Sequence, residues 1–318
     1  MHILIVRRTV RNVKRMAFKE RTKPKRLRVM ELLSRRMNLS RDERNKFLYW
    51  VKGYKGEIQF DILTQKLKCD CLILNDVFLK VNGKQFQIDT LIITAKGIYI
   101  YEVKNFEGTY YYEGTKMYSG RSRKEVYDPL DQVKHASTLL RQLMQQMGYS
   151  LPIKTVIVFI NQDFALYQAP MLEELILPGA LKARLAEVSE ISGQLSQTQR
   201  KFAEEIKALH IEDVSLREVP YYEESSLKKG VICCECGTFI EEYTQSLYSV
   251  CPICHHKERI RDTVIRQFEE YKLLFPDQKI TKAVLLKWSD GRLSANRIAY
   301  TLKQTYRAVG TGRWRYYE

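Results

Sequence analysis

The central predicted element of this chain is the segment Gln87-Ile-Asp-Thr-Leu-Ile-Ile-Thr-Ala-Lys-Gly-Ile-Tyr-Ile-Tyr-Glu-Val-Lys104. It contains two runs rich in Ile, Val and Tyr, which the turn residues Lys96-Gly97 separate. β-branched and aromatic runs on either side of a tight turn predict two antiparallel strands. The density of apolar residues predicts that both strands are largely buried.

Three charged residues interrupt these apolar runs: Asp89 in the first strand, and Glu102 and Lys104 in the second. Pairing of Ala95 with Ile98 would place Asp89 opposite Lys104 and diagonal to Glu102. A buried carboxylate is costly unless it is paired or binds a metal. Two converging carboxylates suit Mg²⁺ or Mn²⁺, and a lysine beside them can stabilise charge that develops on a phosphate. The pattern favours phosphodiester hydrolysis, and the alternative is a purely structural charge cluster.

Segments on both sides of the hairpin predict a mixed domain. In some of them apolar residues recur at helical spacing, and in others they alternate with period two, as in strands. The predicted elements are a helix over 41–66 interrupted at 53–56, strands at 68–75 and 76–80 before the turn Asn82-Gly83, a strand at 108–112 that continues the sheet, a helix from Pro129 to Gly148, a buried strand at 151–160, and helices near 180–187 and 196–209. The predicted fold class is therefore α/β of the mixed α+β kind, with a sheet flanked by helices.

The charged positions resemble the Asp…(Asp/Glu)-x-Lys signature of the restriction-endonuclease-like PD-(D/E)xK superfamily. The surrounding motifs make the likeness more specific: Gly56-Glu57, Leu74-Asn-Asp-Val77, Gln87–Leu91, Gly97–Asn105, Gly108 and Pro129-Leu-x-Gln132. Over about residues 50–160 the chain is similar to the nuclease-related domain family, NERD. This resemblance implies a restriction-endonuclease-like central sheet.

The resemblance also implies roles for single residues. Asp89 and Glu102 correspond to the metal-binding acids, and Lys104 corresponds to the catalytic lysine. Glu57 matches the acid on the first helix, and Gln132 matches the glutamine on the helix after the sheet. Without the resemblance, Glu57 could equally be a solvated helix residue.

Five of the seven cysteines lie between positions 233 and 254. The pairs Cys233–Cys236 and Cys251–Cys254 are two CxxC motifs with 14 residues between them, which is typical of a zinc ribbon. We expect these four thiolates to bind a structural Zn²⁺, with the strands of the ribbon at 238–243 and 246–250. Redox-active or unligated thiols are the alternative. Three neighbours could replace a ligand in another register: Cys234, His255 and His256.

The chain of 318 residues has 53 Lys or Arg against 37 Asp or Glu, which gives a net charge of +16. The excess lies in the flanks: residues 1–46 hold 16 basic and 4 acidic residues, and residues 259–318 hold 13 and 6. Basic flanks around a nearly neutral body indicate a nucleic-acid partner, with DNA as the expected one. Arg35 and Arg36 are predicted phosphate contacts of this N-terminal arm, which could otherwise only aid solubility.

The C-terminal segment predicts helices at 280–288 and 293–303 with a turn at 289–291, followed by a basic aromatic strand at 313–317. This order resembles a winged helix-turn-helix, and the alternative is a helical protein-binding appendage. The predicted nucleic-acid contacts are Asn296, Arg297, Lys303, Arg313 and Arg315.

No run approaches the roughly 20 apolar residues of a membrane span, and the N-terminal apolar run is too short for a signal peptide. We therefore expect a cytoplasmic protein without a membrane partner. The expected domains are a basic arm at 1–46, a nuclease-like domain at 47–214, a linker at 215–230, a zinc ribbon at 231–258 and the helix-turn-helix-like region at 259–318. The expected function is a metal-dependent nuclease, and the alternatives are a non-catalytic nucleic-acid-binding adaptor and a protein-interaction module.

Overall fold

A computed structural model describes residues 17–212, 216, 218–241 and 247–318, apart from the side chain of Arg313. The first 16 residues of the predicted basic arm lie outside this description. So do residues 215 and 217 of the predicted linker and residues 242–246, on which parts of both predicted ribbon strands fall. No helix in the described part of the chain is long and apolar enough to cross a membrane.

The described residues form helices and strands that we number in chain order. The α-helices are α1 (Lys25–Arg36), α2 (Arg41–Thr64), α3 (Pro129–Gln146), α4 (Pro178–Ser189), α5 (Gln197–Ala208), α6 (Ile260–Leu274), α7 (Lys282–Trp288) and α8 (Ala295–Thr305). The strands are β1 (Cys71–Val81), β2 (Lys84–Thr94), β3 (Gly97–Lys104), β4 (Gly108–Glu113), β5 (Lys116–Ser119), β6 (Glu125–Val126), β7 (Ile153–Phe159), β8 (Phe164–Tyr167), β9 (Leu175–Ile176), β10 (Val231–Ile232), β11 (Phe239–Ile240), β12 (Tyr248–Val250), β13 (Lys257–Arg259), β14 (Ala308–Val309) and β15 (Tyr316–Tyr317).

The described chain divides into two compact units. We call residues 17–25 and 46–212 the sheet unit, and residues 26–45 and 216–318 the cysteine unit. Residues 26–45, which the sequence suggests as part of an N-terminal arm, therefore belong to the same unit as the C-terminal residues.

The main sheet of the sheet unit has the order β1-β2-β3-β7-β9. β1 pairs antiparallel with β2, and β2 pairs antiparallel with β3, whereas β7 is parallel to both β3 and β9. Two hydrophobic cores pack against this sheet. Apolar residues of α3 and α5 belong to one core, and those of α2 and α4 belong to the other. This arrangement confirms the predicted mixed α/β class with a sheet between helices.

The register of the central hairpin differs from the prediction. Thr94 pairs with Gly97 and Ile93 pairs with Ile98, so the turn consists of Ala95 and Lys96. Hydrogen bonds of the Thr94 hydroxyl to Gly97 O (3.1 Å) and from Lys96 N (3.3 Å) stabilise this tighter turn. Continued along the strands, this register brings Asp89 level with Glu102. The predicted pairing of Asp89 with Lys104 is therefore wrong.

The strand after the hairpin does not continue the main sheet, as the sequence suggests it should. Instead, β4 belongs to a second sheet with the order β6-β5-β4-β8. Phe106, in the connection that leaves β3, stacks on Tyr110 with ring centroids 5.0 Å apart and also contacts Phe159. These aromatic contacts fix the point at which the chain leaves one sheet for the other.

Helix α2 approaches the end of β3 through Gly56. A Cβ atom at this position would lie 2.6 Å from Cβ of Asn105, the residue that follows β3. The Asn105 side chain in turn donates to the carbonyl of Lys52, one turn earlier on the helix, at 2.7 Å. Glycine therefore permits the close contact that brings the next residue, Glu57, to the edge of the sheet.

In the cysteine unit, Arg36 forms a buried ion pair with Glu270, with Nε and Oε1 2.5 Å apart. It also donates to the carbonyls of Lys228 and Gly230, and its guanidinium lies 4.2 Å from the ring centroid of Trp288. Arg36 is only 1% exposed. The prediction that Arg36 contacts a phosphate is therefore wrong, because its charge is already paired inside the protein.

Two glycines of α2 provide a matched test of this packing. We expect Gly56→Ala to lower the free energy of unfolding by about 1–3 kcal/mol, because the new methyl group clashes with Asn105. Gly53→Ala meets nothing within 4 Å and should raise it by up to about 1 kcal/mol, because alanine favours the helix. Urea unfolding of both variants measures the difference. Equal effects would contradict the close approach of α2 to β3.

Candidate functional site

Asp89 lies on β2, just beyond the last pair that joins β2 to β3. Its Oδ2 accepts a hydrogen bond from Val103 N at 2.8 Å, so the carboxylate replaces a main-chain acceptor where the ladder ends. Burial raises the pKa of Asp89, and the positive charges of Lys104 and Arg21 oppose that change. Period two along β3 then turns Glu102 and Lys104 toward the same side.

Glu102 is 3% exposed and forms an ion pair with Lys104, with Oε1 and Nζ 2.6 Å apart. Burial and the negative charge of Asp89 raise the pKa of Glu102 to about 8, although Lys104 acts against both. For Lys104, burial lowers the pKa, but the carboxylates of Glu102 and Asp89 outweigh burial and raise it. The lysine is therefore an ammonium ion at neutral pH.

Gln132 reaches the same lysine from α3: Lys104 Nζ donates to its Oε1 at 2.8 Å. The start of α3 is fixed by Asp128, whose Oδ1 accepts from Leu130 N at 2.9 Å and from the Tyr112 hydroxyl at 3.0 Å. This N-cap places Gln132 in the first turn of the helix, beside the end of β3.

Glu57 reaches the site from α2 and is held by Arg21, with Oε2 and Nη1 2.8 Å apart. Arg21 also binds both carboxylate oxygens of Asp61, at 2.8 and 3.0 Å, and donates to the main-chain carbonyl of Asp89 at 2.7 Å. Burial and the charge of Asp89 raise the pKa of Glu57 to about 7, while Arg21 lowers it. The structure thus brings Asp89, Glu102, Lys104, Gln132 and Glu57 together.

Sequence reasoning missed Arg21 and Asp61. A signal for Asp61 was present, since Glu57 and Asp61 are four residues apart and share one face of α2. Arg21 had no such signal, because it lies 36 residues before Glu57 and no local pattern connects them.

Two of the acids have one carboxylate oxygen without a hydrogen-bond donor. No donor among the described residues reaches Oδ1 of Asp89 or Oε2 of Glu102. Each of these two acids thus keeps one oxygen for another ligand, and the negative charge of Asp89 raises the pKa of both Glu57 and Glu102. Oxygen donors of this kind are the ligands that Mg²⁺ and Mn²⁺ prefer. The residues therefore fit a hard divalent cation.

The cysteine unit brings four thiols together. Sγ of Cys233 lies 3.6 Å from that of Cys254, and Sγ of Cys236 lies 3.5 Å from that of Cys251. All four sulfurs lie within 4.8 Å of one another. Tetrahedral zinc with sulfur ligands at about 2.3 Å requires sulfur–sulfur distances of about 3.8 Å, so the set fits one zinc ion.

The two CxxC turns have the same main-chain hydrogen bond. Cys233 N donates to Thr238 O at 2.8 Å, and Cys251 N donates to His256 O at 2.9 Å. Each turn closes its own hairpin, since β10 pairs with β11 and β12 pairs with β13. β11 lies within the predicted ribbon strand 238–243 and β12 lies within the predicted strand 246–250, and their partners are β10 and β13.

Cys234 is not part of the four-thiol set. It forms a separate group with Glu235 and His256, whose ligand atoms lie within 4.8 Å of one another. The geometry therefore favours Cys233 over Cys234 in the set, and neither His255 nor His256 replaces a thiol there.

The residues predicted to contact nucleic acid lie on the cysteine unit. Arg35 is half-buried against Gly237, beside the first CxxC turn. Helices α6, α7 and α8 pack together, and β14 pairs with β15 beyond them. Sequence reasoning did not predict α6. Of the C-terminal set, the exposed members are Asn296, Lys303 and Arg315, Arg297 is half-buried, and the side chain of Arg313 lies outside the description.

The raised pKa values predict how stability changes with pH. Folding raises the pKa of Glu102 from its ordinary value of 4.5 to about 8, so between these values the folded state binds more protons than the unfolded chain. Folding is therefore favoured at low pH, and stability is lost as the pH rises through this window. Glu57 acts in the same direction up to about pH 7.

We expect the free energy of unfolding to fall by about 1–4 kcal/mol between pH 5 and 8, without added divalent cation. Glu102→Gln should remove a large part of this slope, and Glu113→Gln, which alters an exposed acid, should leave it unchanged. Urea unfolding at pH 5, 6.5 and 8 measures the slope. A slope that Glu102→Gln does not change would show that Glu102 is ionised throughout.

Comparison with known proteins finds one match, and it covers the part of the chain that contains this site. No curated protein and no solved structure matches the chain. The segment that matches a family model includes all five predicted site residues, while Arg21 lies outside it. Residues 52–160 match the nuclease-related domain, and this part of the chain is similar to that family.

Proposed function

We propose that this protein is a divalent-metal-dependent nuclease that hydrolyses phosphodiester bonds, with DNA as the expected substrate. The observation that carries the proposal is the meeting of Asp89, Glu102 and Lys104 at one strand end. The ion pair of 2.6 Å and the free oxygens of both acids support it. The match to a nuclease-related domain points to the same chemistry.

Asp89 and Glu102 would hold Mg²⁺ or Mn²⁺. When bound, the cation would lower the pKa of a water molecule and neutralise charge on the phosphate. Lys104 is an ammonium ion and therefore cannot take a proton from water. It can instead donate a hydrogen bond to a phosphate oxygen as negative charge develops there.

Gln132 and Glu57 would support this reaction from two helices. Gln132 accepts from Lys104 and so fixes the direction of the ammonium group. Glu57, with a pKa of about 7, can accept a proton from the attacking water near neutral pH. Arg21 positions Glu57 without itself touching the reacting atoms. In the reaction, the water oxygen bonds to phosphorus, one P–O ester bond breaks and the leaving oxygen gains a proton.

We also propose that Cys233, Cys236, Cys251 and Cys254 hold one Zn²⁺. Four thiolates fill the coordination of zinc, so the ion would stabilise the two small hairpins and take no part in hydrolysis. We assign the modules at 231–258 and 259–318 to substrate binding, through Arg35, Asn296, Arg297, Lys303, Arg313 and Arg315. Reduced cysteines of this kind suit a cytoplasmic protein.

Cleavage of labelled DNA and RNA with Mg²⁺ or Mn²⁺ tests the nuclease proposal. We expect Glu102→Gln and Lys104→Met each to lower the cleavage rate by about a hundredfold or more, because each removes a charge at the reacting phosphate. Glu113→Gln is the control and should cut as the wild type does.

Cleavage that persists in Glu102→Gln would indicate a contaminating nuclease. Binding of nucleic acid without cleavage by the wild type would favour the adaptor. A cation-binding readout separates these outcomes from unfolding: Mg²⁺ should raise the melting temperature of the wild type at pH 8 but not that of Glu102→Gln.

Metal analysis of the purified protein tests the zinc proposal. We expect one zinc per chain, lost in Cys251→Ser together with cooperative unfolding of the cysteine unit. Cys234→Ser, a neighbouring thiol outside the four-thiol set, should keep its zinc. Loss of zinc from Cys234→Ser with retention in Cys233→Ser would contradict the assignment.

A further inference from the structure

Three tyrosines form a row across the second sheet of the sheet unit. Tyr111 of β4 pairs with Tyr118 of β5 on one side and with Tyr167 of β8 on the other. The rings of Tyr111 and Tyr118 are stacked, with centroids 5.5 Å apart and planes 18° apart. We call these three residues the tyrosine row.

The tyrosine row lies on the outer face of this sheet. The neighbouring residue Tyr112 and its cross-strand partner Met117 are buried in the core, so period two turns Tyr111 and Tyr118 the other way. On β8, Phe164 is buried while Tyr167 is 61% exposed. Tyr111 and Tyr118 are half-buried, so Tyr167 and the exposed parts of these two rings form the aromatic surface that a ligand can contact.

A basic loop adjoins the row. Arg121, Arg123 and Lys124 connect β5 to β6; all three are exposed, and none forms an ion pair with a described residue. The loop is held by hydrogen bonds from Ser119 N to Lys124 O (3.0 Å) and from Arg123 N to Ser119 O (2.8 Å). Two acids share this face: Glu125, which is the cross-strand partner of Tyr118 and forms an ion pair with Lys116 at 2.8 Å, and the exposed Glu113. The face therefore combines aromatic rings with three basic side chains, which outnumber the one acid, Glu113, that has no ion pair with a described residue.

We propose that the tyrosine row and the loop 121–124 bind single-stranded nucleic acid. Unpaired bases stack on aromatic side chains in a sequence-tolerant way, and cations beside them bind the phosphates. In a duplex the bases are already stacked on one another and cannot lie on the rings. This inference rests on the proposed nuclease function and deepens it, because it makes a single strand or an unpaired end the substrate.

The row and the candidate active site belong to the same compact unit and are joined by one strand. β4 begins four residues after Lys104 and carries Tyr111. A single-stranded nucleic acid bound along this sheet would thus contact β4, the strand that follows Lys104 in the chain.

Binding is measured by fluorescence anisotropy with a labelled 20-nucleotide poly-dT strand and with a 20-base-pair duplex. Both are used in the Glu102→Gln background without added divalent cation, so that binding is tested independently of cleavage. We expect Tyr111→Leu/Tyr118→Leu/Tyr167→Leu to weaken single-strand binding at least about tenfold and to leave duplex binding unchanged. The triple Phe variant should bind as the parent does, because the rings remain. Tyr221→Leu, which alters a tyrosine that is 83% exposed in the cysteine unit, is the matched control.

A second variant tests the loop. The slope of log affinity against log salt is negative, and it should become shallower by about 2 in Arg121→Gln/Arg123→Gln/Lys124→Gln. Single strands contribute roughly 0.7 to this slope per contacted phosphate, and the variant removes three cations. Thermal unfolding checks that both triple variants remain folded.

Unchanged single-strand affinity in the folded Leu variant would overturn the proposal, as would equal weakening of duplex binding. A wild-type dimer that the Leu variant converts to a monomer would assign the face to a second copy of the chain and would also overturn it. If the wild type binds single strands but does not cleave them, the nuclease function alone would be rejected.

Discussion

The sheet unit depends on how it compensates carboxylates that are buried at the end of its central hairpin. Asp89 and Glu102 are 8% and 3% exposed, and an unpaired charge in such a place costs several kcal/mol. Lys104 and Arg21 supply the opposite charges, and Val103 N supplies a hydrogen bond. A cluster that served only the fold would be expected to neutralise itself. Here the raised pKa values of Glu57 and Glu102 show that the compensation is incomplete.

The compensating charges come from parts of the chain that are far apart. Arg21 precedes α1, and its segment pairs with β1 through main-chain hydrogen bonds between Lys19 and both Ile73 and Asn75. Lys19 Nζ also donates to the carbonyls of Asn75 and Asp76, both at 2.8 Å. The segment before α1 thus contributes a main-chain partner and an arginine to the site. The segment that matches the nuclease-related domain, residues 52–160, does not contain Arg21.

The sequence allowed prediction of what depends on local patterns. The strands of the hairpin, the start of α3 at Pro129 and the pairing of the two CxxC turns all follow from turn chemistry and spacing within a few residues. The register of the hairpin did not, because glycine is typical of a two-residue turn and therefore favoured Lys96-Gly97, whereas Gly97 pairs with Thr94 inside the ladder. The close approach of Pro152, whose carbonyl would lie 2.6 Å from a Cβ at Gly97, shows why glycine belongs to the strand.

Long-range pairing explains the remaining errors. Arg36 had the composition of a phosphate contact, and only its partner Glu270, 234 residues later, shows that it is a core residue. The stacked Trp288 and the two accepting carbonyls make its burial tolerable, because each of the three guanidinium nitrogens donates a hydrogen bond. A basic residue near a basic terminus is thus weak support for nucleic-acid binding until its partners are known.

Strand β4 connects the proposed binding surface to the candidate active site, because one of its faces carries part of the tyrosine row and the other contacts a residue that caps α3. Tyr111 points outward in the tyrosine row, while the next residue, Tyr112, points inward and donates to Asp128. Asp128 caps α3, and α3 carries the glutamine that directs Lys104. The strand that would carry the substrate on its outer face therefore also fixes a residue of the reacting centre from its inner face. Because successive side chains of a strand alternate, a single well-placed β-strand can serve recognition and chemistry at once.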